Sequence, residues 1–198
     1  MNKELIKRIV SSIILIPLAF YFIIHGSYML MFFAFICFLV ACYEWYMMTK
    51  KKTFKIYGFP FLIFSFYTFY VLSLELVGVF FVITICVSTD IGGYVFGKIF
   101  KGPKLTKISP NKTYAGMIGG YFLSLISLTI LSNLIDHQTP IQFFLITILI
   151  STVSQAGDII ISYFKRLSKI KNTGKLIPGH GGLLDRIDGM IFAFPVYY

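Results

Sequence analysis

The sequence predicts an all-α protein, a polytopic transmembrane bundle of about six to seven spans with a polar site on its cytoplasmic side. Three observations predict it. Hydrophobic residues make up 57% of the chain and charged residues 13%, about half the charged share of an average soluble domain. Apolar runs of bilayer length recur between short polar connections. All 18 Lys and Arg residues fall in alternate connections and none in the others.

In chain order, Lys3, Lys7 and Arg8 precede a first apolar run, Ile9–Ile24. That beginning mimics a signal peptide, but no small-residue cleavage site follows at His25-Gly26-Ser27, so a retained span is expected. Five further runs follow, Tyr28–Tyr46, Tyr57–Leu74, Leu76–Phe96, Gly116–Leu134 and Ile141–Ser162. A seventh apolar stretch, Met190–Tyr198, is too short to cross at about 1.5 Å per residue and reads as a truncated helix, in preference to a re-entrant end. Residues 1–198 are read as a single integral membrane domain.

Orientation follows from the cations. Lys50, Lys51, Lys52 and Lys55 lie between runs two and three, and Lys98, Lys101, Lys104, Lys107 and Lys112 between runs four and five. Lys165, Arg166, Lys169, Lys171, Lys175 and Arg186 follow run six. The opposite connections, around His25, Glu75 and Asp136-His137, carry no Lys or Arg. The positive-inside rule then puts the N-terminus in the cytoplasm, and a multi-pass protein of the cytoplasmic (inner) membrane is expected. The net charge of +10 is explained by basic loops beside anionic headgroups. With no nucleic-acid-binding motif present, no nucleic-acid partner is expected.

Cys37, Cys42 and Cys86 sit in apolar stretches without a CxxC pair, which argues against a disulfide framework or zinc site. Tyr43, Trp45 and Tyr46 read as an interfacial aromatic belt. Gly93–Gly97 and Gly116–Gly120 are GxxxG pairs suited to close helix packing. They serve contacts within one chain or between two copies equally well, so a homodimer is compatible with them.

Chemistry should reside where charge enters apolar sequence. Asp90 and Asp158 lie at the ends of spans, where a carboxylate is costly and marks function or an interfacial ion pair. On a continuing helix Ser162, Lys165 and Arg166 follow Asp158 at offsets of four, seven and eight, sharing its face. Downstream, Pro178-Gly179-His180-Gly181-Gly182 is a glycine-rich turn whose N–H groups suit an anion. Asp185 and Asp188 stand three apart, so on a helix they share a face, and paired carboxylates call for a cation between them. Mg²⁺, with its preference for oxygen, is the expected one. The residues alone point to metal-assisted chemistry on a polyphosphate.

The run Ser162-Tyr163-Phe164-Lys165-Arg166, then Lys171, the turn Pro178–Gly182 and Asp185-Arg186-Ile187-Asp188 resembles the signature of phosphatidate cytidylyltransferases, or CDP-diacylglycerol synthases. A second block, Asp90, Gly97, Lys107-Ile108-Ser109-Pro110-Asn111-Lys112-Thr113 and Gly116, is also similar. The resemblance implies a nucleotidyltransferase of phospholipid biosynthesis that joins CTP and phosphatidic acid into CDP-diacylglycerol and pyrophosphate. It implies metal binding by Asp158, Asp185 and Asp188, with Mg²⁺ and room for a second cation. Lys165, Arg166, Lys171 and Arg186 would grip phosphates. Ser109, Lys112, Ser162, Gly181 and Gly182 would contact substrate. His180 would carry a proton or hold the turn by a hydrogen bond. The signature, Asp158 and the Ser109–Lys112 loop are expected to converge.

Three positions depart from the common pattern: Ala115 and Ile161 where acids are frequent, and Asn172 where Asp is usual. Each removes a negative charge and leaves Asp158, Asp185 and Asp188 more heavily committed. Two rival readings are a CTP-dependent kinase of a polyprenol-type lipid and a non-catalytic transporter or lipid-binding protein. The lack of an internal repeat weighs against the transporter.

Overall fold

A computed structural model describes residues 3–25, 27–50, 54–131 and 140–198. The chain is helical in this order: α1 (Lys3–His25), α2 (Ser27–Thr49), α3 (Lys55–Leu72), α4 (Leu76–Phe100), α5 (Tyr114–Leu131), α6 (Pro140–Leu167), α7 (Leu184–Ile187) and α8 (Met190–Tyr197). Among the described residues α2 to α6 are each long and apolar enough to cross a membrane. Helix α1, 23 residues long, covers the first predicted run. The all-helical, multi-pass reading therefore stands. Lys51, Lys52, Asp136 and His137 lie outside the described residues.

Helices α4 and α6 run past their predicted ends at Phe96 and Ser162, to Phe100 and Leu167. Their last turns carry Lys98, and Lys165 with Arg166. Cations there complement the helix carbonyl end and let the helix leave the apolar layer intact. Helix α8 spans eight residues.

The chain divides into two compact units, Met1–Leu76 with Phe164–Ile187, and Val77–Tyr163 with Asp188–Tyr198. In the first, α2 packs against α1, α3 and α7. Phe22 stacks on Phe33 at 4.8 Å, and Phe38 meets Phe66 edge-on at 5.4 Å. Trp45 departs from the expected belt. It is 4% exposed, donates from Nε1 to Lys55 O at 3.0 Å and meets Phe54 and Phe164 edge-on. An indole buries well when its N–H finds a carbonyl, and the α2–α3 connection supplies one. Gly58 leaves room for that ring. Tyr43 stays exposed, as a belt residue should.

The second unit is closed by small residues and hydroxyls, the usual means of joining helices where lipid removes the hydrophobic drive. Gly92, Gly93 and Gly97 of α4 lie against Gly116, Gly119 and Gly120 of α5. Both GxxxG pairs are thus used within the chain, on each other. Ser88 meets Ser127 at 2.6 Å, Thr89 donates to Ser151 at 3.0 Å, and Tyr121 meets Thr152 at 2.9 Å. A methyl at Gly116 would come within 2.7 Å of the Gly93 carbonyl, whereas one at Gly93 meets only the Gly116 oxygen, at 3.8 Å. Gly116→Ala should therefore destabilise the protein by about 1–3 kcal/mol through overpacking, and Gly93→Ala should be tolerated. Thermal unfolding of both variants in one detergent checks this, and equal midpoints would contradict the seam.

Candidate active site

Each unit carries one polar centre. In the first unit the chain leaves α6 at Leu167, turns through Lys169 in the left-handed region (φ 58°) and returns to α7. Asp185 opens that short helix and gathers three donors. Its Oδ1 accepts from Lys165 Nζ at 2.8 Å, and its Oδ2 accepts the N–H groups of Thr173 at 2.9 Å and Gly182 at 3.0 Å. The two side chains of the ion pair are 11% and 7% exposed. One carboxylate thus ties the end of α6 to both limbs of the loop, and Lys165 provides the positive charge that sequence reasoning had assigned to a metal.

The turn Pro178–Gly182 folds in on itself. Ile177 and Gly181 form an antiparallel bridge, with Ile177 N–H donating to Gly181 O at 2.9 Å. His180 and Gly181 both donate to Ile177 O, at 3.0 and 3.1 Å. Gly179 and Gly181 have φ of 78° and 95°, a conformation that glycine adopts without strain. The N–H groups of His180, Gly181 and Gly182, expected to face an anion, are therefore engaged by the protein. So tight a turn uses its own donors. Gly181 and Gly182 act instead through the room they leave, for Asp185 and Asn172 at Gly181 and for Thr173 and Glu44 at Gly182.

His180 is held from α1. Ser11 Oγ donates to Pro178 O at 3.0 Å and lies 2.8 Å from His180 Nδ1. One hydroxyl of α1 thus holds both the turn's carbonyl and the His180 ring. Arg186 donates to His180 O, and Arg166 donates to Ile170 O at 3.4 Å. Both arginines and Lys171 remain exposed, one cation at the end of α6, one on the loop and one on α7.

In the second unit the loop between α4 and α5 is a closed structure. Lys104 and Thr113 form a bridge, Leu105 N–H donates to Lys112 O at 2.8 Å, and Lys112 N–H donates to Ser109 O at 3.0 Å. Thr113 Oγ1 accepts Gly116 N–H at 3.0 Å and caps α5. This loop delivers Lys112 to Asp158, Nζ to Oδ2, at 2.5 Å, with side chains 23% and 31% exposed. One helical turn on, Ser162 Oγ donates to Asp158 Oδ1 at 3.3 Å, the shared face that the offset of four predicted. Ser109 contributes its carbonyl to the turn below Lys112. Asp90 is exposed on α4.

Asp188 lies beyond the end of α7, which spans only Leu184–Ile187, so the two acids do not share a helix face. Asp188 is buried, 9% exposed, and accepts Gly189 N–H at 3.0 Å. Gly157 allows the Asp188 carbonyl and the Phe192 ring to sit against α6, next to Asp158. Among the described residues no three His, Cys, Asp or Glu side chains gather on one point. Asp158 and Asp188 nonetheless supply the oxygen donors that Mg²⁺ prefers, and Asp158 is open enough to bind. Asp185 fits direct ligation less well: its side chain is 7% exposed against 31% for Asp158, and it already holds three donors.

Sequence reasoning missed three contributors, Glu44, Thr173 and Ser11. Glu44 carried a signal: it is the sole acid of α2, as costly in an apolar span as Asp90 or Asp158. Its aromatic neighbours drew attention instead. Serine and threonine hydroxyls carry no comparable mark.

Comparison with known proteins adds the family. The cytidylyltransferase family matches residues 72–198. The phosphatidate cytidylyltransferase of Staphylococcus saprophyticus subsp. saprophyticus is 42% identical over 110 residues, covering 54% of this chain and 42% of that protein. The one from Staphylococcus haemolyticus is 43% identical over the same shares. A protein of Escherichia coli (strain K12) named "Uncharacterized protein YnbB" is 40% identical over 121 residues, 61% of this chain and 41% of that one. The chain thus spans less than half the length of the curated relatives it matches. Both polar centres lie within the matched residues apart from Glu44 and Ser11, and over that stretch the chain belongs to the cytidylyltransferase family.

Proposed function

We propose that the protein transfers a cytidylyl group from CTP to phosphatidic acid, releasing pyrophosphate and leaving CDP-diacylglycerol in the bilayer. The observation that carries this reading is the pair of lysine–carboxylate contacts, Lys112–Asp158 and Lys165–Asp185, each at the root of a basic segment inside the family match. The printed names of the staphylococcal relatives point the same way.

In the reaction, an oxygen of the lipid phosphate attacks the α-phosphorus of CTP. A new P–O bond forms as the bond from the α-phosphorus to the bridging oxygen breaks, and pyrophosphate leaves with that electron pair. The attacking group is already an anion, so no protein nucleophile is required. The protein's task is to overcome repulsion between two polyanions and to hold them in line. Lys112, Lys165 and Lys171 supply charge, and Arg166 and Arg186 supply bidentate hydrogen bonding to phosphate oxygens. His180, oriented through Nδ1 by Ser11, is placed to handle the proton of a monoanionic lipid phosphate. Ser109 and Ser162 hold Lys112 and Asp158 in place.

Asp158 and Asp188 would hold Mg²⁺. When bound, such an ion neutralises charge on phosphoryl oxygens. The reading also places the N-terminus and every basic loop on the cytoplasmic side of the inner membrane, where CTP is available.

The test uses CTP labelled in the cytidine or in the γ-phosphate, with Mg²⁺ and phosphatidic acid vesicles. Cytidine label entering the lipid supports the reading. Entry of the γ-phosphate alone would turn it into a lipid kinase, and no entry of either would remove catalysis of this kind. A control variant belongs in the same assay. Lys104 is exposed and bridges Thr113 through its backbone, so Lys104→Ala should keep turnover within about twofold, as expected for a surface charge.

A further inference from the structure

Glu44 lies in α2, outside the residues that match the family, and is 3% exposed. Its Oε1 accepts Leu183 N–H at 2.9 Å. Its Oε2 accepts Leu184 N–H at 2.9 Å and Thr173 Oγ–H at 2.8 Å. A carboxylate is acceptor-only with about four lone-pair sites, so three donors nearly fill it. The loop is shaped around this group: a methyl on Gly174 or on Gly182 would run into the Glu44 carboxyl oxygens.

The same two limbs of chain carry the contacts of Asp185. Thr173 gives its hydroxyl to Glu44 and its N–H to Asp185. Gly182 gives its N–H to Asp185, and the next two N–H groups go to Glu44. Two carboxylates thus clamp one loop, and among the described residues Asp185 is the one paired with a lysine. Trp45, beside Glu44 in sequence, fixes the end of α2 to Lys55 and Phe164.

We infer that Glu44 is a positioning residue: a buried carboxylate on α2 that sets the two limbs of the 173–184 loop and, through them, the Lys165–Asp185 pair. This assignment rests on the cytidylyltransferase reading for its catalytic consequence, but not for its structural one. Glutamine has the shape of glutamate yet presents an NH₂ to a backbone N–H at one of the two sites, which cannot be satisfied.

The test has two arms on the full chain in lipid nanodiscs. In Glu44→Gln, amide exchange at Leu183 and Leu184 should rise about tenfold or more, with α4 to α6 at wild-type protection. In the cytidylyl assay KM for CTP should rise about tenfold, the scale of lost outer-shell support, while KM for phosphatidic acid stays within about threefold. Thr173→Val, which removes one donor of three, should give the same pattern in smaller degree and covers the case in which Glu44→Gln fails to fold. Wild-type exchange and wild-type KM values would overturn the inference. So would faster exchange throughout the chain with both KM values unchanged, which describes a general loss of folding. If the wild-type protein transfers no cytidylyl group, the functional reading falls and the exchange arm alone decides on Glu44.

Discussion

Asp185→Asn should lower turnover by about a hundredfold or more while expression, membrane insertion and helix content stay at wild-type levels. Three donors converge on this carboxylate, Lys165 Nζ and the N–H groups of Thr173 and Gly182. Asparagine keeps one acceptor oxygen and turns an NH₂ toward donors on the other side. Lys165, 11% exposed, would then lose the charge of this carboxylate, and removing one side of a buried ion pair is costly. The outcome expected is a lysine that swings toward solvent and a loop whose limbs separate, with the phosphate-gripping residues displaced. Each ångström of misplacement costs steeply in a reaction that depends on alignment. Because α7 lies outside the long apolar helices, insertion is unaffected. Pyrophosphate release from CTP and phosphatidic acid vesicles reads the result, and normal turnover would refute any active role for this pair.

Asp158→Asn should be as damaging, with a different signature. Asp158 is about a third exposed and holds Lys112 and Ser162, and Asp188 borders the same stretch of α6. If this carboxylate contributes oxygen to Mg²⁺, its neutralisation should raise the half-saturating Mg²⁺ concentration by about 10–100-fold, the range seen when support of a metal site is removed. Asp185→Asn should leave that concentration nearly unchanged, since the Asp185 side chain is 7% exposed against 31% for Asp158. A magnesium titration of both variants separates the roles. Identical shifts in the two would return Asp185 to the status of a direct ligand, and no shift in either would remove the metal from this part of the protein.

The bundle was legible because membrane insertion is governed by few rules. Length, hydropathy and the alternation of lysines place α2 to α6 within a few residues, and the GxxxG pairs mark the seam where α4 and α5 meet. The i, i+4 contact between Asp158 and Ser162 was equally legible, since it depends only on helical pitch. What failed did so for reasons of range. Nothing local tells that Glu44 accepts hydrogen bonds from residues far along the chain, or that Ser11 reaches His180. The expected pairing of Asp185 with Asp188 assumed a helix longer than the four residues of α7. The glycine-rich turn looked open in sequence because its hydrogen bonds are made by backbone groups, which carry no residue-specific signal. Trp45 was misread as a belt residue because an interfacial ring and a buried one have the same composition around them.

Trp45 has a practical consequence. It is the one tryptophan in the chain, and its ring touches Phe164, in the last turn of α6 just before the signature loop, while its neighbour in sequence is Glu44. Tryptophan emission is therefore a label-free optical signal from a single known place. A rearrangement of the loop when CTP arrives would change the quenching and polarity around that one ring. Ligand binding and loop motion can be followed by fluorescence in the unmodified protein, with no dye to disturb the bilayer.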